Sequence, residues 1–121
     1  IVTVYLGERL GLYRALADSG PAKPAELAAR TGTHERYARE WLEQQAAAGI
    51  LSVGAAEADA EARLYSLPEP HAEALLDSDS LSYVTPLAWQ LVGLMRPLDA
   101  LLEAFKTGGG VPYPQYGADM R

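Results

Sequence analysis

The stretch "PAELAARTGTHERYAREWLEQQAAAGILSV", residues 24–53, contains two predicted helices joined by a tight turn. Pro24 suits the first position of a helix because the N–H that it lacks has no partner there, and Gly32 suits a C-terminal cap. Thr33 is a good N-terminal cap for the helix that follows. The two helices are expected at Pro24–Arg30 and His34–Ala48.

The second of these helices has one apolar face, and so does the segment before the stretch. The face of His34–Ala48 is formed by Tyr37, Ala38, Trp41, Leu42, Gln45 and Ala46. Upstream, residues Val4–Asp18 repeat the helical period and predict one continuous helix. Gly7 and Gly11 each cost about 1 kcal/mol against alanine in a helix interior, so we expect them to allow another backbone to approach closely.

A β-hairpin is predicted directly after these helices. Two short alternating segments, Ile50–Val53 and Arg63–Leu67, flank the polar stretch "GAAEADAEA". Alternation around a polar loop is typical of two antiparallel strands. Three helices with a tight turn between the second and third, followed by a hairpin, are the order of a winged helix-turn-helix. The predicted fold class is therefore mainly α with a small β-hairpin.

The residues after the hairpin return to a helical pattern and are strongly apolar. A short helix is predicted at 70–76, and a longer one from a cap at Asp79 and Ser80, which Pro86 kinks or divides and Pro97 restarts. The apolar positions are Leu81, Val84, Leu87, Ala88, Leu91, Val92, Leu94, Met95, Leu98, Leu101, Leu102 and Phe105. One helix face cannot bury so many in a small domain. We therefore expect additional dimerisation helices here, in a homodimer that also uses the first helix.

A winged helix can bind DNA, and Arg36 and Arg39 would then reach phosphates or bases. In this sequence each arginine has a carboxylate one helical turn away, Glu40 for Arg36 and Glu43 for Arg39. Such pairs neutralise the helix face that would enter the groove. For this reason, a winged-helix DNA-binding transcriptional regulator is only the alternative function.

The distribution of charge also argues against nucleic acid as a partner. Residues 1–53 carry six basic and six acidic side chains, so the whole net charge of −6 lies after them. The predicted hairpin loop adds Glu57, Asp59 and Glu61, with only Arg63 in return. Because phosphate neutralisation supplies most non-specific affinity, an acidic wing is expected to repel a duplex.

The composition limits the remaining classes of function. A hydrophobic fraction of 49% and a charged fraction of 21% are typical of a soluble globular protein, and no apolar run reaches the ~18 residues of a membrane span. The absence of cysteine excludes disulfides and thiolate chemistry and fits a cytoplasmic location. His34 and His71, the two histidines, lie outside any metal-ligand spacing. We therefore assign no metal site and no catalytic residue, and keep His71 only as a weak candidate for a base.

Several motifs together resemble one enzyme family. They are "GLYRAL" at 11–16, "PAELAARTG" at 24–32, "HERYAREWLEQQAAAGIL" at 34–51, "LPEPHA" at 67–72 and "FKTGGGVPY" at 105–113. They are similar to the N-terminal winged-helix domain of a family of class I, small-molecule S-adenosylmethionine-dependent methyltransferases, in which a helical dimerisation domain precedes a Rossmann-like catalytic domain. The resemblance covers nearly the whole chain.

This resemblance implies a domain division and a role. Residues 1–68 would form the winged helix-turn-helix, residues 69–106 the dimerisation and lid helices, and residues 107–121 a linker toward a catalytic domain. The chain would pair subunits and cover a small-molecule methyl acceptor without being catalytic alone. S-adenosylmethionine would be bound mainly by the other domain, since no glycine-rich strand–loop–helix motif occurs in this sequence. A stand-alone interaction module without a ligand is a third possibility.

The closing stretch "TGGGVPYPQYG", residues 107–117, has the composition of a directed connector. Its glycines end the last predicted helix, and because no strand precedes them they do not form a phosphate-binding loop. Tyr113, Tyr116 and Trp89 are the candidates to cover a bound cofactor or substrate. The alternatives are an anchored linker for the two tyrosines and ordinary core packing for Trp89.

Overall fold

The computed structural model describes residues 1–54 and 58–120. Within them the α-helices are α1 (Val2–Arg9), α2 (Leu12–Ser19), α3 (Pro24–Thr31), α4 (Glu35–Ala47), α5 (Glu69–Leu76), α6 (Thr85–Met95) and α7 (Leu98–Thr107). The strands are β1 (Ser52–Gly54) and β2 (Leu64–Ser66), and short 3₁₀ turns lie at Ala60–Ala62, Tyr113–Tyr116 and Ala118–Met120. This architecture confirms the predicted fold class, mainly α with one small hairpin.

The first predicted helix is divided in two, so the prediction of one continuous helix was wrong. Gly11 adopts the left-handed conformation, with φ of 73°, between α1 and α2. A Cβ at Gly11 would meet nothing within 4 Å, so this glycine serves the break between the helices and not a close approach. The apolar period continues in phase across the break, which explains why the sequence pattern did not reveal it.

Gly7 permits a close approach, but by two aromatic side chains and not by another backbone, so the predicted partner was wrong. A Cβ placed there would lie 2.6 Å from the ring carbon Cζ2 of Trp41 and would also collide with the ring of Tyr13. The two rings pack edge to face with centroids 5.0 Å apart. Because Gly7 has no side chain, α1 can lie directly on this aromatic pair, which joins α1, α2 and α4.

The tight turn between α3 and α4 follows the expected glycine punctuation. Gly32 ends α3 in the left-handed conformation, with φ of 67°. The predicted N-terminal cap Thr33 was wrong by one residue, because His34 occupies that position and its Nδ1 accepts a hydrogen bond from the Arg36 amide at 3.2 Å. The hydroxyl of Thr33 instead pairs with the hydroxyl of Thr31, at 2.9 Å.

The hairpin is antiparallel, with Val53 opposite Tyr65. Ala22, in the connection between α2 and α3, forms a bridge with Tyr65 through two backbone hydrogen bonds of 2.9 Å. This bridge holds the hairpin against the helices. The main core consists of Leu12, Tyr13, Leu16, Ala22, Leu27, Trp41, Leu42, Leu51, Tyr65 and Leu75.

The helix predicted from Asp79 and Ser80 begins later, at Thr85, so this boundary was wrong. Residues 77–84 form turns, and Leu81, an apolar residue of the predicted helix, is fully exposed. The buried hydroxyl of Thr85 donates to the carbonyl oxygen of Leu75 at 2.6 Å, which attaches the start of α6 to the end of α5. Pro86 lies in the first turn of α6, where a proline costs no helical hydrogen bond.

The last helices end as the glycine and proline pattern predicted. Pro97 separates α6 from α7, and Gly108 ends α7 with φ of 75°. The chain then turns back onto α6, where Gly93 leaves space for Met120: a Cβ on Gly93 would lie 2.6 Å from the Met120 Cγ. The proposed division into residues 1–68, 69–106 and 107–121 stays a prediction.

Candidate functional site

The recognition helix of a winged helix is here α4, and its two candidate DNA-binding arginines are paired with carboxylates. Arg36 Nε lies 3.3 Å from Glu40 Oε1. Arg39 Nε lies 3.8 Å from Glu43 Oε1. Both pairs span one helical turn, as the sequence predicted, and the positive charge of this helix is balanced within the helix itself.

The wing adds a further carboxylate to the recognition helix. Glu61 Oε1 lies 3.2 Å from Arg39 Nη1, so Arg39 faces two carboxylates. Arg63, the one basic residue of the predicted wing, donates from Nε to the carbonyl oxygen of Ala58 at 3.2 Å. The sequence gave no signal for the contact between Glu61 and Arg39 because it joins separate elements. Glu57, a third predicted wing acid, lies outside the described residues.

The structure brings two of the three lid candidates together. The rings of Tyr113 and Tyr116 lie with centroids 6.3 Å apart, and the Tyr113 hydroxyl donates to the carbonyl oxygen of Met120 at 2.9 Å. Trp89 lies on α6, and its Nε1 donates to Glu8 Oε2 on α1 at 2.7 Å. Among the described residues, no aromatic contact joins Trp89 to the two tyrosines.

A buried carboxylate that sequence reasoning missed attaches the end of the chain to α1 and α6. Asp119 is only 5% exposed and accepts hydrogen bonds from Arg9, from Arg96 at 2.5 Å and from the hydroxyl of Tyr5 at 2.9 Å. We call these four residues the Asp119 cluster. A lone aspartate in a loop gives no local signal, since its partners lie 110 or more positions away for Arg9 and Tyr5. The segment predicted to be a linker is therefore held against the helical body.

Replacing Asp119 by asparagine is expected to release this segment. The change removes both ion pairs and leaves Arg9 and Arg96 without their shared carboxylate. The amide protons of Gln115 and Gly117, which donate within the 3₁₀ turn at Tyr113–Tyr116, are expected to exchange about tenfold faster in NMR hydrogen-exchange experiments. Asp99→Asn on α7 is the matched control and is expected to leave both rates unchanged. Equal exchange in the Asp119 variant and the unchanged protein would refute the anchoring role.

The Asp119 cluster also makes the attachment of the closing segment to the helices depend on pH. The hydrogen bond from Arg96, with those from Tyr5 and Arg9, lowers the pKa of Asp119 from 3.8 to about 2. Since the pKa is lower in the folded chain, the carboxylate contributes its full stabilisation above pH 3.8 and loses it as the pH falls through about 2. The protection factors of the Gln115 and Gly117 amides, which correct for the intrinsic pH dependence of exchange, are expected to fall over that interval.

Helix α7 leaves most of its apolar face exposed in the described chain. None of its residues is buried, although Leu98, Leu101, Leu102 and Phe105 recur at helical spacing. Phe105 is 86% exposed and Leu102 is 63% exposed. An isolated helix of this length is marginal in water, so a further surface is needed to bury its apolar face. We call Leu94, Met95, Leu98, Leu102 and Phe105 the α6–α7 surface.

In the described ranges no three histidine, aspartate or glutamate side chains lie close enough together to hold a metal ion. No helix there is long and apolar enough to cross a membrane.

Comparison with known proteins identifies the family. Residues 1–76, more than half of the chain, match the model of the Rv2258c-like winged HTH domain. The match covers α1–α5 and the hairpin and ends before α6. No curated protein matches the chain. The chain therefore belongs to the Rv2258c-like winged HTH domain family, in agreement with its order of helices and hairpin and with the glycine-capped turn before α4.

Proposed function

We propose that this chain is the N-terminal dimerisation and substrate-lid domain of an S-adenosylmethionine-dependent methyltransferase, and that it is not catalytic alone. The observation that carries the proposal is α7, an apolar helix that buries none of its own residues. A surface of this kind fits a helix that pairs subunits. In this proposal a second copy covers the α6–α7 surface, and the assembly is a cytoplasmic homodimer.

The described residues do not fit an S-adenosylmethionine site. Class I methyltransferases resemble dinucleotide-binding folds, in which a parallel strand leads into a glycine-rich turn and a helix. Here β1 and β2 form an antiparallel hairpin, and Gly108–Gly110 follow a helix and not a strand. We therefore place the methyl donor in a separate catalytic domain and derive no chemical step from this chain.

The lid role assigns Tyr113, Tyr116 and Trp89 to the side of the methyl acceptor. The paired tyrosine rings lie on a segment whose C-terminal end Asp119 holds to the body. Trp89 is held by Glu8, and the guanidinium of Arg9 lies over its ring at 5.7 Å. Aromatic rings that are held in this way suit a surface that closes over a small molecule.

The experiment that tests the methyltransferase assignment compares this chain with the full product of its gene. Titration calorimetry with S-adenosylmethionine is expected to show saturable binding by the full product and none by this chain. A full product that binds no S-adenosylmethionine, or that consists of this chain only, overturns the assignment.

The DNA-binding alternative rests on the winged-helix fold. It is tested by removing the carboxylates that pair with the arginines of α4. For a random-sequence duplex, the dissociation constant of this chain is expected to exceed about 10⁻⁴ M even at low salt, because Arg36 and Arg39 are already paired. The triple variant Glu40→Gln, Glu43→Gln, Glu61→Gln frees both arginines and is expected to gain weak, salt-dependent binding. Fluorescence anisotropy of a labelled duplex measures the affinity of the unchanged chain and of the triple variant. Micromolar, salt-dependent binding by the unchanged chain would favour a transcriptional regulator.

A further inference from the structure

An apolar groove lies between α1, the turn after α4, and helices α5 and α6. Its volume is about 330 Å³, within the range of about 300–1,000 Å³ that small-molecule sites occupy. The aliphatic side chains that line it include Val4, Ile50, Ala74, Leu75, Leu87 and Ala88. Among the described residues, none that lines the groove has a charged side chain, so a charged ligand would lose its hydration there without a side-chain partner of opposite charge.

Among the described residues that line the groove, His71 alone has a polar side chain. Its Nδ1 lies 2.7 Å from the carbonyl oxygen of Ile50. A carbonyl oxygen only accepts hydrogen bonds, so Nδ1 carries the proton and Nε2 of the neutral ring is an acceptor. In the part of the chain that the structure describes, Nε2 has no hydrogen-bond partner. The groove thus has aliphatic walls and one imidazole, whose accepting nitrogen is set by the contact of Nδ1 with the Ile50 carbonyl oxygen.

We propose that this groove binds a small, neutral, apolar molecule that carries one hydroxyl group, of the phenol or naphthol class. The ring system lies against the aliphatic walls, and the hydroxyl donates to Nε2 of His71. The backbone of Ile50 fixes the ring nitrogen that accepts, which selects a hydrogen-bond donor over an acceptor. This inference goes beyond the proposed methyltransferase role, because every residue that it uses belongs to this chain.

The test uses 1-naphthol as the probe and the two histidine rings as reporters. NMR spectra of the imidazole groups are recorded at about pH 8, where an ordinary histidine is neutral. 1-Naphthol is expected to shift the ring signals of His71 saturably and to leave those of His34 unchanged, because His34 caps α4 and does not line the groove. 1-Methoxynaphthalene, which lacks the donor, is expected to bind about fivefold more weakly, as the loss of one hydrogen bond implies.

A pair of variants on α5 separates the groove from the rest of the helix. Ala74 lines the groove, whereas Ala72, also half-buried, lines a different surface between α2 and α5. Ala74→Leu fills the groove and is expected to weaken 1-naphthol binding at least tenfold, while Ala72→Leu leaves it unchanged. Backbone amide spectra confirm that both variants fold. The proposal would be overturned if the His71 shifts did not saturate, if both histidines shifted equally, or if both probes bound with equal affinity. Equal binding of 1-naphthol by the two variants would also overturn it.

Discussion

Replacing Gly7 by alanine is expected to lower the free energy of unfolding by about 2–3 kcal/mol and the thermal midpoint by about 10 °C. The added methyl group would lie 2.6 Å from Trp41 Cζ2 and would collide with the ring of Tyr13. Neither ring can move freely, because each donates a hydrogen bond. The Tyr13 hydroxyl donates to the side-chain oxygen of buried Gln45, and Trp41 Nε1 donates to the carbonyl oxygen of Thr3 at 2.9 Å. Thermal unfolding followed by circular dichroism measures the change.

The sign of this effect makes it informative. Alanine is the better helix former by roughly 0.5–1 kcal/mol, so without the collision Gly7→Ala would stabilise α1. Gly11→Asn is the control, since Gly11 has open space around it and asparagine tolerates the left-handed conformation at a small cost. A Gly7 variant as stable as the Gly11 variant would show that α1 does not pack on the aromatic pair.

The two glycines also show what the sequence could and could not predict. The α3–α4 pair was predictable because proline and glycine mark its ends locally. The break at Gly11 was not, since the residues on both sides continue one apolar period. Gly7 was expected to admit another backbone, whereas its neighbours are the rings of Tyr13 and Trp41, which follow from the tertiary fold alone.

The late start of α6 has a similar cause. Leu81 and Val84 continue the apolar pattern of the helix, although both are exposed in the structure. The actual boundary is set by Thr85, whose hydroxyl bonds to a carbonyl oxygen ten residues earlier in the chain. The Asp119 cluster was hidden for the same reason, because its partners are Tyr5 and Arg9 of α1 and Arg96, which follows α6. Contacts of this kind carry no local sequence pattern.

The double variant Leu102→Glu, Phe105→Glu is expected to convert a dimer into a monomer. The two side chains are among the most exposed apolar groups of α7, and burying each against a second copy contributes about 1.5–3 kcal/mol. A two-fold interface contains each substitution twice, so the dissociation constant is expected to rise more than about 100-fold. Sedimentation velocity over a range of concentrations measures the change.

Lys106→Gln on the same helix controls for the effect of charge alone. It shifts the net charge by the same amount as one leucine-to-glutamate change, and it replaces an exposed side chain whose partner is Glu103 on the same helix. This control is expected to dimerise normally. Because no residue of α7 is fully buried in the described chain, its helical signal should also fall as the unchanged protein is diluted below the dissociation constant. A monomeric protein with full, concentration-independent helicity would contradict the dimer and leave α7 to a partner other than a second copy.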